Sequence, residues 1–571
     1  MDRAVATRSR TGCINCRKGR IRCDEKKPDC TTCLTKKRTC SYSPARLPLR
    51  DRRAQALPGE QTPWALPVSH PHQTYPSVKK ESNCRKKKQP TEKETMIRRW
   101  KLPRSNAVDP FNVLPIKMPF NSKELLHYYH QAVGTFSGLS SHQINACVGS
   151  AVKTPVALRN TLIIAGVHHV WNTGELRSFK SAFLSHKLHG VHQVNGWLNK
   201  TPDTATFFKC CQLIATLCIT ECCVKNFAVA DAHLAGLLAY MDHFSAAKPD
   251  FDLTQSIEGE LLNRYFILAF NIMHGLKSQV NDFIRMTPKS SDPQRSIDKK
   301  KLRDMIYNAH TDEEERLSRL KGVSLFPFFF LPLEAVKKPF RHVDVSTMLE
   351  SLRDVTKAYD MRFKRPSRDG IVDSLYHLWY SGAPSKMFVA SIDAHAKSIS
   401  HSLDPSTQGN DSLLSSWSGF NVAEGMYLTS VLGIWNSGSP PETSLHTRGL
   451  LILQRDLQTE LAELDTKGEQ EQALWLWKLF VGILSIAHAD VQSRKSFFRE
   501  LSARFSQLIR RWIDSREMES IQWENAREVL SSITWPVHFQ KEEIARQLWS
   551  SAILGDEQAA VSSRSRHVEN K

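Results

Sequence analysis

Six cysteines, Cys13, Cys16, Cys23, Cys30, Cys33 and Cys40, follow the pattern C-x2-C-x6-C twice over, with nine Lys and Arg residues threaded among them. Thiolates at this spacing can ligate a metal, because Cys-x2-Cys turns two sulfurs onto one ion. The competing use, a disulfide framework, needs an oxidising compartment. The chain opens with MDRAVATRSRTG, where no apolar run follows the basic residues, and its thirteen cysteines are an odd number. An intracellular protein with mostly reduced thiols is therefore expected.

Stoichiometry narrows the metal. One tetrahedral zinc would take four sulfurs and strand two, whereas two zincs need eight coordination positions, which six sulfurs fill when two of them bridge. Two Zn ions and six thiolates carry a charge of about −2, offset by the neighbouring Lys and Arg. A module this short buries too little apolar surface to fold alone, so metal binding must supply most of its folding free energy.

The elements that present the basic residues are short. Each Cys-x2-Cys leads into a basic segment, RKGRIR from Arg17 to Arg22 and LTKKRT from Leu34 to Thr39, and Pro28 marks the turn between the halves. One or two helical turns on a metal frame suit phosphate contact and major-groove reading, since Arg and Lys donate to guanine O6 and N7. Net charge agrees. Of the formal +20, residues 1–119 carry +18, from 28 Lys/Arg against 10 Asp/Glu. A polyanion partner for this end follows, with nucleic acid, which the major-groove reading makes double-stranded DNA, ahead of a membrane surface because no long amphipathic helix accompanies the charge.

Beyond the cysteines, residues 46–118 are rich in proline and charge without sustained periodicity and read as a flexible linker. Within it, KKESNCRKKK (79–88) is a paired basic cluster of the kind nuclear import receptors read. Residues 119–555 read as a large all-α domain, and residues 556–571 as a disordered tail. Helix signals include Thr201 as an N-cap ahead of Pro202, a capping box from Thr311 to Glu314, and the runs EQALWLWKLFVGILSIAHADV, SFFRELSARFSQLIRRWIDS and WENAREVLSSI. The most apolar run, residues 474–489, is shorter than a bilayer span and contains Lys478, so it reads as a buried helix. Loops are expected near 288–300, 400–416 and 436–446.

Cys13 to Cys40, with SRTGC before it and CDEKKPDC at its centre, resembles the fungal binuclear zinc cluster family of DNA-binding transcription factors. The resemblance implies that Cys13 and Cys30 bridge, that Cys16 and Cys23 complete one zinc site, and that Cys33 and Cys40 complete the other. It implies reading of CGG-type triplets by the first basic segment, with Arg20 at the main base-reading position and Arg17 and Arg22 at phosphate-contacting ones. Lys36 and Lys37 are weaker candidates for phosphate. Gly19 departs from the basic residue usual at its position; a close backbone approach, with Lys18 and Arg20 sharing the base reading, is the expected consequence. Residues 120–550 resemble, more loosely, the helical regulatory domain of such factors, which implies a small-molecule effector or co-regulator there. Many relatives dimerise through a coiled coil, but residues 41–100 lack three consecutive heptads, which leaves both a homodimer and a monomer open.

Two constellations in the body invite other chemistry. Cys210, Cys211, Cys218, Cys222 and Cys223 share one helix, which cannot wrap four thiolates around one ion; core packing is expected. His186, His189 and His192, at i, i+3 and i+6, are expected to be partly exposed rather than ligands. FPFFFLPL (326–333) reads as core. No P-loop, dinucleotide fingerprint, GxSxG elbow or HExxH is present, so a non-enzyme is expected. The leading expectation is a nuclear, sequence-specific regulator of RNA polymerase II transcription serving a metabolic or secondary-metabolite gene set. The rival is a zinc-dependent scaffold whose basic N-terminus binds protein or RNA.

Overall fold

In the computed structural model the chain divides into two units, Met1–Gln89 and Pro90–Lys571. The structure describes residues 12–19, 21, 23–42, 114–138, 144–145, 149, 151–199, 203–248, 256–286, 313–326, 342–364, 368–399, 412–435, 443–489, 495–514 and 522–554. Residues 46–113 of the expected 46–118 linker, the basic cluster at 79–88 and the expected tail, 556–571, lie outside them.

In the first unit, two five-residue helices, α1 (Ile14–Lys18) and α2 (Thr31–Thr35), carry the two Cys-x2-Cys turns. The second unit is helical, as the periodicity requires. Its helices are α3 (Ser122–Phe136), α4 (Pro155–Thr173), α5 (Lys180–Leu198), α6 (Thr204–Cys223), α7 (Phe227–Ala247), α8 (Ile257–Met286), α9 (Glu313–Leu325), α10 (Ser346–Lys364), α11 (Arg368–Tyr380), α12 (Ala383–Ile399), α13 (Trp417–Met426), α14 (Thr443–Leu461), α15 (Glu469–His488), α16 (Lys495–Asp514), α17 (Trp523–Ile533) and α18 (Glu542–Leu554). A two-residue ladder, β1 (Val343–Asp344) antiparallel to β2 (Leu414–Ser415), is the one sheet among the described residues of an otherwise helical body. Such a pair is too short to leave an alternating sequence pattern.

α4 is started by the Thr154 hydroxyl, which accepts the Ala157 N–H at 3.1 Å, with Pro155 in the first turn, and is stopped by Gly174 at φ 84°. Gly166 sits where a Cβ would meet the Phe183 ring at 2.3 Å, so only glycine lets α5 pack this closely. α6 begins at Thr204, later than the Thr201–Pro202 signal suggested, because the Asp203 carboxylate takes the Thr206 N–H at 2.8 Å; Thr201 and Pro202 lie outside the described residues. α9 begins at Glu313, and Thr311 is likewise outside. The break expected at 436–446 is helical from Thr443.

Fifteen of the twenty residues of α6 are buried, and this helix alone among those described is long and apolar enough to cross a membrane. It lies inside the body, against α7 and α8, where its two buried hydroxyls are satisfied by their own helix: Thr216 donates to the Gln212 carbonyl at 2.8 Å and Thr220 to that of Thr216 at 2.7 Å. All five of its cysteines are buried; burial pushes the Cys210 thiol up to about 12 and those of Cys211 and Cys223 well upward, and a hydrogen bond with Cys222, together with burial, raises that of Cys218, which leaves these four as inert packing groups. The histidine expectation is corrected in part. His189 and His192 are exposed, but His186 is buried and bonded through Nε2 to the Ser122 hydroxyl at 2.8 Å, because helix α3, distant in sequence, packs on that side.

Candidate metal centre

Within residues 12–42 the cysteine module is two copies of one half, offset by 17 residues. Cys13 N–H points at the Cys23 sulfur at 3.4 Å, and Cys30 N–H at the Cys40 sulfur at 3.3 Å. Ile21 N–H bonds the Cys16 carbonyl at 3.1 Å, and Arg38 N–H the Cys33 carbonyl at 2.9 Å. Each half also satisfies the first amide of the other's helix: Ile14 N–H donates to the Ser41 carbonyl at 2.8 Å, and Thr31 N–H to the Asp24 carboxylate at 3.1 Å. Asn15 adds a bond to the Thr39 carbonyl, and the Tyr42 hydroxyl donates to the Lys26 carbonyl at 2.9 Å while lying 3.8 Å from the Cys23 sulfur. These locking residues were not singled out from the sequence. The 17-residue offset would have found Asp24 and Ser41, which are equivalent positions.

The sulfurs form two groups of four, each within 4.8 Å throughout: Cys13, Cys16, Cys23 and Cys30, then Cys13, Cys30, Cys33 and Cys40. Cys13 and Cys30 belong to both. Their sulfurs are 3.7 Å apart, Cys16 to Cys30 is 3.6 Å, and Cys13 to Cys33 is 3.6 Å. A tetrahedron of 2.3 Å Zn–S bonds has edges of roughly 3.8 Å, so the donor set fits two zinc ions with a shared edge. The protein surroundings hold four of the thiols away from their ordinary range in opposite directions. The Cys16 amide on its sulfur lowers Cys13 to about 6, whereas burial drives Cys16, Cys30 and Cys33 up to about 12. Zinc reverses that balance by supplying the positive charge the thiolates need.

Lys18 and Gly19 at the end of α1, and Lys36 and Lys37 after α2, are exposed. Arg20 and Arg22 lie outside the described residues, as does the side chain of Arg17. Gly19 closes α1 by donating to the Asn15 carbonyl at 3.0 Å; a Cβ there would meet that oxygen at 3.3 Å, a tight but adjustable contact. Its place in the second half is taken by Lys36, so the fold itself accepts a side chain at this point.

A two-zinc, six-thiolate module with exposed basic residues is a nucleic-acid-binding class of domain rather than a catalytic one. Residues 11–48 match the family model of the fungal Zn(2)-Cys(6) binuclear cluster domain, and the chain carries a domain of that family, whose cofactor is two zinc ions. The same stretch is similar to White-opaque regulator 2 of Candida albicans, 53% identical over 38 residues that make 7% of this chain and 8% of the relative. It is also similar to Transcription activator AMTR1 of Alternaria alternata, 42% identical over 55 residues covering 10% of this chain and 7% of that one. Transcription factor lfc1 of Flammulina velutipes is 48% identical over 44 residues, 8% of this chain and 16% of the relative. The chain thus spans less than a fifth of each of these relatives. No solved structure matches it.

Proposed function

We propose that this chain is a nuclear, sequence-specific DNA-binding regulator of RNA polymerase II transcription. The observation that carries the reading is the pair of four-sulfur groups sharing Cys13 and Cys30 beneath exposed Lys18, Lys36 and Lys37. Cys13 and Cys30 are the bridging ligands, Cys16 and Cys23 complete one zinc site, and Cys33 and Cys40 the other. Domains of this family whose relatives bear the names of transcription regulators support the same reading. Arg20 and Lys18 read a CGG-like triplet beside the side-chain-free Gly19, while Arg17, Arg22, Lys36 and Lys37 hold phosphates. The helical body, residues 119–555, regulates the outcome in response to a small molecule or co-regulator, and the gene set served is metabolic or secondary-metabolic.

Base readers and phosphate holders respond differently to substitution. Arg20→Ala is expected to cost roughly 1–3 kcal/mol on the matched site and to relax preference at one base pair. Lys36→Ala is expected to weaken matched and scrambled duplexes alike and to flatten the log-log salt slope by about 0.9. Titrations of both variants on both duplexes across salt concentrations check this; equal losses everywhere would refute the division of roles.

A further inference from the structure

Where α8, α12 and α13 converge in the helical body there is a partly enclosed cavity with about 90 Å³ open to the centre of a water-sized sphere, within about 740 Å³ of unfilled space once its open mouth is counted. Its walls are apolar and aromatic, with Trp171, Trp379, Phe388 and Trp435 the largest contributors. Three polar residues among those lining it are at odds with a plain packing defect. Glu424 and Gln279 are each 2% exposed and Trp435 is 8% exposed. Among the described residues, Glu424 Oε1, Gln279 Oε1 and Trp435 Nε1 have no hydrogen-bond partner. Buried polar groups are almost always paired, and leaving three unpaired around one cavity costs stability that apolar side chains would restore. Burial pushes the Glu424 carboxyl well above its ordinary range and so favours the protonated form, which can donate as well as accept. The combination of apolar walls and a few convergent, unsatisfied polar groups is that of a small-molecule site.

We propose that this cavity binds a flat, largely apolar organic molecule bearing an N–H or O–H donor, which the oxygens of Glu424 and Gln279 accept. The aromatic side chains cover its faces, and Trp435 Nε1 is available to an acceptor on the same molecule. The proposal deepens the regulatory reading of the helical body by supplying the site, and its test contains no DNA, so the failure of either is separately visible.

The test uses the full-length chain with 1-aminoanthracene as a fluorescent occupant, displaced by 1-naphthylamine or by 1-methylnaphthalene, which has the same shape and no donor. 1-Naphthylamine is expected to compete at least about tenfold better. Glu424→Leu is expected to erase that preference while raising the thermal midpoint, a pairing that a merely structural carboxyl would not give. Glu424→Gln, which keeps an acceptor oxygen, is expected to retain the preference, and Gln279→Leu to reduce it. Failure of 1-aminoanthracene to bind the wild-type chain, equal competition by the two naphthalenes, or an unchanged preference in both leucine variants would each overturn the proposal.

Discussion

Removing zinc from the full-length chain is expected to unfold residues 12–42 while the helical body stays folded. The buried cluster of the first unit consists of Cys13, Cys16, Cys23, Cys30 and Cys33, with only Cys40 and Tyr42 packed against it. Among the described residues of this unit there is no aliphatic core to fall back on, so the metal's binding free energy, about 10–16 kcal/mol for comparable structural sites, is the module's folding free energy. The shared sulfurs make the loss uneven. Serine at Cys13 or Cys30 breaks both groups of four and should reduce bound zinc from two ions toward none. Serine at Cys16 or Cys40 leaves the other group whole and should retain about one ion. Native mass spectrometry of the four variants reads this directly; equal zinc content in Cys13→Ser and Cys16→Ser would rule out the bridging assignment.

The second large effect lies in the helical body. Lys478 is fully buried on α15, and its ammonium donates to Glu460 at 2.6 Å, Asp456 at 2.8 Å and the Ser415 hydroxyl at 3.0 Å. The network is tight enough that a Cβ on Gly419 would meet the Asp456 carboxylate at 1.8 Å. Lys478→Met keeps the volume and strands two buried carboxylates, which is expected to cost about 3–5 kcal/mol, seen as a lower denaturant midpoint of the body. Adding Asp456→Leu and Glu460→Leu to it should recover most of the loss. Burial works to raise the Glu460 pKa, but the neighbouring ammonium wins and holds the carboxyl well below its usual range. A depressed carboxyl contributes stability that is present above its unfolded value, near 4.3, and is lost as pH falls through the lower folded value, so this group's contribution survives mild acid. A single Lys478→Met variant as stable as wild type would refute the account of this network.

What could be read in advance follows from the range of the interactions. The metal centre was legible because its ligands come in local pairs whose spacing is itself the chemistry, and the 17-residue repeat wrote the second half as a copy of the first. Helices α15, α16 and α17 were legible because an apolar face recurs every three or four residues. Lys478 was visible only as an interruption of an apolar run; its partners sit 18 and 22 residues away on α14 and 63 away on β2. His186 likewise owes its burial to Ser122, 64 residues distant. The Glu424 cavity had no local signature, since its walls come from segments between Trp171 and Trp435. Asp203 was legible in kind but not chosen, because Thr201 and Pro202 gave an equally good helix start two residues earlier.

The central claim is that two zincs held by six shared thiolates turn a short basic segment into a reader of DNA sequence. Selection from random duplexes with the zinc-loaded full-length chain tests it most directly. The account predicts enrichment of a CGG-like triplet, singly or as a pair at fixed spacing, that disappears on chelation. Retention of duplexes with no common motif, with or without zinc, would contradict it and favour a zinc-dependent scaffold.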